Sequence, residues 1–368
     1  MATIAIDATY SLEPTPSGIA VYSRRLLETL AELETPHRFL VCYRLSRLGR
    51  WVEFFRPARQ SPPQPHFSVR LYQEPLTFWL PRQAQLFHSL AQRPPGFRFK
   101  KEIVTVHDVF PITGRDYSAP DFLRKFSALL VDAVGRAVLV VTPSEYTASE
   151  LARTTGVARE KIRVIPEGVD PPAKLLSAEE RLRERRALVG DGNEMVLTVG
   201  VIQTRKNTLS ALKALALLPA RFRLVLAGGE GHGAQAALDF IRREGLDSKV
   251  VRLGHVAPAR LRSLYQAASV FLFPSLEEGF GLPVLEAMAH GAPVVASKTS
   301  ALPEVGGDAA LYIDPRDPKD IAEKVRQVAE DEPLRQWLIA KGLGRVPRFT
   351  WRRTAEATLA VYNEVLTS

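Results

Sequence analysis

Apolar residues along this chain follow two rhythms that alternate. Short unbroken runs, such as Ile4-Ala-Ile6 and Val196-Leu-Thr-Val199, are followed by longer stretches with apolar positions every three or four residues. The first rhythm predicts buried parallel strands and the second amphipathic helices. Residues 17–33 show the helical spacing, with Ile19, Val21, Tyr22, Leu26, Leu27 and Leu30 near one face. In the first half the pattern predicts strands at 3–9, 37–43, 66–72, 85–90, 102–109, 137–143 and 161–166. Helices at 17–33, 121–136 and 144–154 interleave with them. After Asp170 come Pro171-Pro172 and a charged surface helix over 177–186, which read as a linker. A second series then begins, with strands at 194–199, 221–227, 249–253, 270–274, 293–297 and 310–313. Its helices are predicted at 209–218, 233–244, 258–268, 283–290, 318–330 and 332–341.

Two such series predict two Rossmann-like, doubly wound α/β domains. Each would have a parallel sheet covered on both faces and would bind ligands beyond the carboxyl ends of its strands. The expected division is 1–170 and 171–348, with a cleft between them. A last helix over 351–367, within 349–368, carries the stripe Ala355, Leu359, Tyr362 and Val365 and is available to cross back onto the first domain.

Composition narrows the class. The chain has 368 residues, 46% hydrophobic and 24% charged, which is a soluble globular balance with room for two domains. A single cysteine, Cys42, rules out an internal disulfide or a Cys-based metal cluster. The start, Met1-Ala-Thr-Ile-Ala-Ile-Asp7, has neither the basic segment nor the long apolar core of a secretory signal. No apolar run approaches the ~20 residues of a spanning helix. The expectation is a cytoplasmic protein, at most peripheral on the inner face of a membrane. The net charge of +9 is concentrated between Arg38 and Lys101, where 12 Lys/Arg face only Glu53 and Glu74. That stretch also holds Trp51, Phe54, Phe55, Phe78, Trp79, Phe97 and Phe99. It reads either as a surface for an anionic membrane or as a solvated basic face whose aromatics belong to the core. Nucleic acid is weighed below both and is not expected as a partner.

The chemistry gathers at strand ends. Pro274-Ser-Leu-Glu-Glu-Gly-Phe-Gly-Leu-Pro-Val-Leu-Glu286 puts Glu278 and Glu286 on either side of a Gly-Phe-Gly turn that opens a helix. Pro283 suits the first helical turn. The unpaired N–H groups there, with the helix dipole, favour phosphate. Glu286, one turn in, can accept from the hydroxyls of a ribose. Glu278 would face whatever hangs from the distal phosphate. Arg205 and Lys206, in the loop after strand 194–199, can neutralise a diphosphate. Asn207 beside them is expected to cap the next helix. Gly18 opens the first helix, where a glycine suits phosphate approach. His107 ends the strand 102–109. Either residue is also read as a plain turn or structural residue. No Asp-X-Asp is present to offer a divalent ion to a sugar diphosphate, so no metal is expected. No P-loop is present either, which argues against an NTPase.

These residues resemble the retaining glycosyltransferases of family 4, which have the GT-B fold. The similarity runs end to end. It is most specific in Glu278-x7-Glu286 and in Leu302-Pro-Glu-Val-Gly-Gly-Asp-Ala-Ala310. Thr204-Arg-Lys-Asn207, Val106-His-Asp108, Thr142-Pro-Ser-Glu-Tyr146 and Ile165-Pro-Glu-Gly-Val-Asp170 support it. Within the family the chain is most similar to bacterial mannosyltransferases of surface-polysaccharide and lipid-linked glycan assembly. The resemblance implies that Glu286 binds ribose and that Arg205 and Lys206 hold the diphosphate. It implies that Glu278, with the backbone of Phe280, Gly281 and Leu282, meets the donor sugar and its phosphate. It places Gly18 at the distal phosphate and His107 beside the sugar. Two departures stand out: Glu167 where the family often has Asn, and the single glycine of Ser17-Gly-Ile-Ala20.

The activity implied is transfer of a hexose, mannose from GDP-mannose as first choice, to a hydroxyl of a glycan or lipid-linked acceptor, with retention and without cofactor or metal. The loop near residues 254–256 is expected to wall the base. The segment 167–175 is a hinge candidate. Three alternatives stay open. They are a glucosyltransferase using UDP- or ADP-glucose, a GT-B nucleotide-sugar epimerase, and a basic nucleic-acid binder that is not an enzyme.

Overall fold

The computed structural model describes residues 1–13, 17–47, 66–74, 76–91, 95–113 and 116–367. Trp51, Phe54 and Phe55 of the basic aromatic stretch lie outside them. The chain forms two compact units. The first comprises Met1–Thr113, Asp121–Gly168 and Thr350–Ser368, and the second Gly114–Pro120 and Val169–Phe349.

The first unit is built on seven strands: β1 (Thr3–Asp7), β2 (Arg38–Arg44), β3 (Phe67–Tyr72), β4 (Leu86–Ser89), β5 (Glu102–Thr105), β6 (Leu139–Thr142) and β7 (Ile162–Val164). Their order among the described residues is β3-β2-β1-β4-β5-β6-β7, and the pairs are parallel. The period-two alternation of a strand sends Ile4 and Ile6 to one face and Ala5 to the other. Ile4 and Ile6 pack with Leu26 and Leu30 of helix Gly18–Glu32, and with Trp351, Ala355 and Tyr362 of helix Trp351–Thr367. Ala5 packs with Leu40, Phe87 and Phe99. The last helix of the chain is therefore part of the first unit's core. Thr354 Oγ1 donates to Pro166 O (2.8 Å), and His88 Nδ1 lies 2.7 Å from the Tyr362 hydroxyl. Any Cβ at Gly168 would lie 2.3 Å from the Trp351 nitrogen, so the crossing of these two segments requires glycine there.

Pattern and structure differ at residues 102–109. The buried run continues, but the strand stops at Thr105. Hydrophobicity reports burial, whereas a strand also needs a ladder partner, and β6 ends at Thr142.

The second unit carries β8 (Glu194–Val199), β9 (Phe222–Ala227), β10 (Val250–Gly254), β11 (Val270–Phe273), β12 (Val294–Ser297) and β13 (Ala310–Ile313). The order is β10-β9-β8-β11-β12-β13, again parallel. Val196, Leu224, Leu226, Leu272 and Val295 meet Leu212, Leu215, Ile321 and Val325 from helices Thr208–Leu217 and Pro318–Glu330 in one core. Both sheets thus have the doubly wound architecture that the alternating pattern predicts.

A buried ion pair organises the first unit's lower loops. Arg136 meets Glu102 through two parallel bonds, Nε to Oε2 at 3.0 Å and Nη2 to Oε1 at 2.9 Å, and also donates to the carbonyls of Pro95 and Phe97. The two side chains are only 5% and 6% exposed. Arg136→Met leaves a buried carboxylate without its counter-ion. It is expected to lower unfolding free energy in denaturant by about 3–5 kcal/mol, while Arg124→Met, on an exposed pair, is expected to change it by less than about 1 kcal/mol.

Candidate functional site

In the second sheet the strand order turns back between β8 and β11, which lie side by side. Loops leaving such neighbouring strands diverge and open a crevice at their carboxyl ends. The loop after β8 carries Arg205, Lys206 and Asn207, and the loop after β11 carries Glu278 to Gly281. Backbone ties the two together, since Leu276 N–H donates to Arg205 O (2.9 Å). Arg205 Nη1 also donates to Glu277 O (2.8 Å). Asn207 stands at the start of helix Thr208–Leu217, but its side chain does not cap it. Its backbone is left-handed (φ 58°), which turns the amide away, and Nδ2 donates to Pro274 O (3.0 Å) and Pro315 O (2.7 Å). Asn207 is thus a clasp between strand-end loops, not the expected side-chain cap.

Arg205, Lys206 and Glu278 come together. Lys206 Nζ is 2.6 Å from Glu278 Oε1, and Arg205 Nη1 is 3.0 Å from Oε2. Lys206 Nζ also lies 4.8 Å over the Phe273 ring, a cation–π contact. Glu278 is 7% exposed. Burial alone would push its carboxyl up, but the charges of Arg205 and Lys206, with the Lys206 hydrogen bond, outweigh that and pull it down to about 2. The group is therefore an anion throughout the neutral range, shared by two cations, and the cluster keeps one positive charge in excess. Glu278 N–H donates to Ser300 Oγ (3.0 Å), which fixes the loop from the other side.

The Gly-Phe-Gly turn opens helix Leu282–Ala289 as expected. Gly281 precedes it with φ 111°, and any Cβ there would come 2.6 Å from Leu302 Cδ2. Phe280 and Leu282 are buried, with the Phe280 ring edge-on to Phe349 at 6.1 Å. Glu286 lies one turn further and is half-buried. Tyr265, from helix Pro258–Ala267, donates its hydroxyl to Glu286 Oε2 (2.8 Å). His290 stacks on Tyr265 at 5.6 Å and holds the Glu286 carbonyl through Nδ1 (2.8 Å). Tyr265 escapes sequence reasoning because its helix shows only a core-facing pattern.

A second group missed in the sequence is the glycine run after β9. Gly229 O accepts from Ile202 N–H (2.8 Å), Gly231 N–H donates to Ile202 O (2.9 Å), and His232 O accepts from Thr204 N–H (3.0 Å). Cβ atoms at Gly228 and Gly233 would sit 2.0 Å from Gly200 O and 2.1 Å from Thr204 Oγ1. This run presses against the loop that carries Arg205 and Lys206. The signal was available, as Gly228-Gly-Glu-Gly-His-Gly233 follows an apolar strand directly.

Gly18 and His107 belong to the first unit. Gly18 is the first residue of its helix, capped by Ser17, and a Cβ there would meet nothing within 4 Å. His107 lies two residues past the end of β5 and is 7% exposed. Its Nδ1 is 3.0 Å from Glu167 Oε1 and its Nε2 2.9 Å from Leu90 O. Of the basic aromatic stretch, Phe97 and Phe99 belong to the core, with Phe99 stacked on Phe87 at 4.2 Å. Phe78 is 67% and Trp79 38% exposed, next to Leu76 at 68%. No helix among the described residues is long and apolar enough to cross a membrane.

Known proteins match along both halves. The model of Glycosyltransferase Family 4 matches residues 16–172, and that of Glycosyl transferases group 1 matches residues 180–344. The chain is 32% identical over 278 residues to the O-antigen chain mannosyltransferase B of Escherichia coli, covering 72% of this chain and 71% of that one. It is 29% identical over 276 residues to the serotype-specific mannosyltransferase WbdA of the same species, covering 73% of this chain but 34% of that longer protein. Among solved structures, Anabaena Alr3699/HepE in complex with UDP and glucose superposes with a TM-score of 0.77 at 19% identity, covering 99% of this chain and all of that one. Its fold, two parallel-sheet domains of the GT-B type, is the fold found here. On the family models and the O-antigen relative together, this chain belongs to the family 4 glycosyltransferases.

Proposed function

We propose that this glycosyltransferase moves mannose from GDP-mannose to a hydroxyl of a glycan or lipid-linked glycan, with retention at the anomeric carbon. The observation that carries the reading is the Arg205–Lys206–Glu278 cluster at the carboxyl ends of β8 and β11. Two cations held by one buried carboxylate are positioned before any ligand arrives, so little reorganisation is needed when a diphosphate binds and leaves. The donors of the helix opening at Gly281 add to the same positive field. Mannose is favoured by the names of the relatives.

In this reading Arg205 and Lys206 take the diphosphate, and Glu286, steadied by Tyr265, takes the ribose hydroxyls. The backbone at Phe280, Gly281 and Leu282 meets the phosphate and sugar. Glu278 keeps the cations in register and approaches the sugar from the same turn. Gly18 and His107 are the first unit's contributors, at the distal phosphate and at the sugar. The acceptor oxygen bonds to the anomeric carbon as the carbon–phosphate oxygen bond breaks, and the acceptor's proton passes to that leaving oxygen. The protein then supplies position and charge, not a nucleophile, and no metal enters the step. A second reading, a UDP-glucose enzyme, is favoured by the UDP and glucose named with the solved Anabaena structure. Thermal shift over GDP-, UDP- and ADP-sugars, followed by donor hydrolysis, decides between them. GDP-mannose should give the largest stabilisation, and a UDP-sugar in that place would overturn the first reading.

Lys206→Ala or Arg205→Ala should cut kcat by roughly 10²–10³-fold, and full turnover in either variant would remove the leaving-group role. Glu278 carries a sign that can be tested separately. Its folded carboxyl lies below its unfolded value of 4.5, so its stabilisation is complete above that value and is lost as pH falls towards about 2. Glu278→Gln is expected to unfold about 3 kcal/mol more easily at neutral pH. In urea titrations that gap should shrink as the pH is lowered. The acceptor side is tested on membranes. Anionic vesicles at low salt should retain the protein, high salt should release it, and Phe78→Ser with Trp79→Ser should weaken retention.

A further inference from the structure

His107 and Glu167 form a closed pair. Leu90 O has no proton to give, so the His107 Nε2 at 2.9 Å must carry one and donate it. The other nitrogen, Nδ1, is 3.0 Å from Glu167 Oε1. That contact needs one proton between the two groups, and a ring that carries it at Nδ1 as well as Nε2 is an imidazolium. The ring and the carboxylate are 7% and 5% exposed, so water does not compete for either bond. The groups facing the ring come from four places. Tyr22, from helix Gly18–Glu32, meets it edge-on at 4.7 Å. His88 lies on β4, Asp108 follows on the same loop, and Glu167 comes from the segment after β7. Burial draws the His107 ring towards neutrality, but the hydrogen bond and charge of Glu167 outweigh it and raise its pKa. His88 shows the converse. Burial, with the charge of His107 beside it, lowers it to about 3.

We infer that Glu167 is a positioning residue that fixes His107 as a double donor, so that His107 stands beside the donor sugar as half of a closed ion pair and not as a proton acceptor. This rests on the placement of His107 beside the sugar proposed above. A histidine acting as a base must offer a bare ring nitrogen, and here both are engaged within the first unit. A carboxylate at position 167 does what an amide would not: an amide can hold the ring's orientation but cannot hold its charge.

The test uses the full-length enzyme with the sugar nucleotide that the donor panel selects. Histidine-selective ¹⁵N spectra, with His107→Gln to assign the signal, should show both His107 nitrogens protonated across the neutral range. Glu167→Gln keeps the shape and removes the charge. Its ring should lose a proton below neutrality, and kcat should then fall roughly tenfold per pH unit as pH rises, with KM for the donor nearly constant. The wild type should show no such limb between about pH 6 and about pH 8. A neutral His107 in the wild type, or an unchanged pH profile in Glu167→Gln while His107→Gln is impaired, overturns this inference alone. Full turnover in His107→Gln overturns the placement of His107 at the sugar, and the inference falls with it. Should Glu167→Gln fold poorly, the wild-type spectra still decide the protonation state.

Discussion

A carboxylate removed from water must keep its charge partnered, and Glu278 does so by holding two cations at once. That requirement fixes much of the second unit. The loops after β8 and β11 have to meet, so their strands must be neighbours, which the reversal of strand order at that point provides. The loop bearing the cations must follow a set path, and the glycine run after β9 presses it there at distances no Cβ would permit. Asn207 closes the arrangement by reaching carbonyls on two other segments. Together these constraints hold two cations against one buried carboxylate.

The first unit applies the same economy to different chemistry. Four of its interior polar groups are joined end to end. Tyr362 meets His88, His88 Nε2 meets Thr105 Oγ1 (2.9 Å), and Thr105 meets the hydroxyl of Tyr22 (3.2 Å). The Tyr22 ring in turn lies against His107. In so apolar a setting a half-satisfied network would be costly, so its members constrain one another's rotamers. Burial lowers both histidines, but beside His107 the Glu167 carboxylate, helped by Leu90 O and Asp108, outweighs it and raises that ring.

Much of this was legible beforehand, and the exceptions follow a rule. Strand–helix alternation and the two-series layout declare themselves through spacing, and Arg205, Lys206 and Glu278, which the structure brings together, through motif; spacing left the last helix only available to cross back. Contacts made across long separations do not. Asn207 sits where a capping residue should, but its left-handed backbone aims it at carbonyls 67 and 108 residues away. Tyr265 hides in a helix whose apolar face explains it fully until Glu286 is seen beside it. Residues 102–109 read as one strand because burial continues after the ladder has ended. Composition likewise cannot tell Phe99, stacked in the core, from Phe78, turned to solvent.

The membership of helix Trp351–Thr367 in the first unit's core bears on how the protein is made. A ribosome releases the second unit whole before it releases the segment that Ile4, Leu26 and Tyr22 need as neighbours. At ordinary elongation speeds that interval is on the order of 10–40 s, during which part of an apolar core stays uncovered in the nascent polypeptide. The first domain is thus the last to mature, and chaperone engagement during translation should concentrate on it.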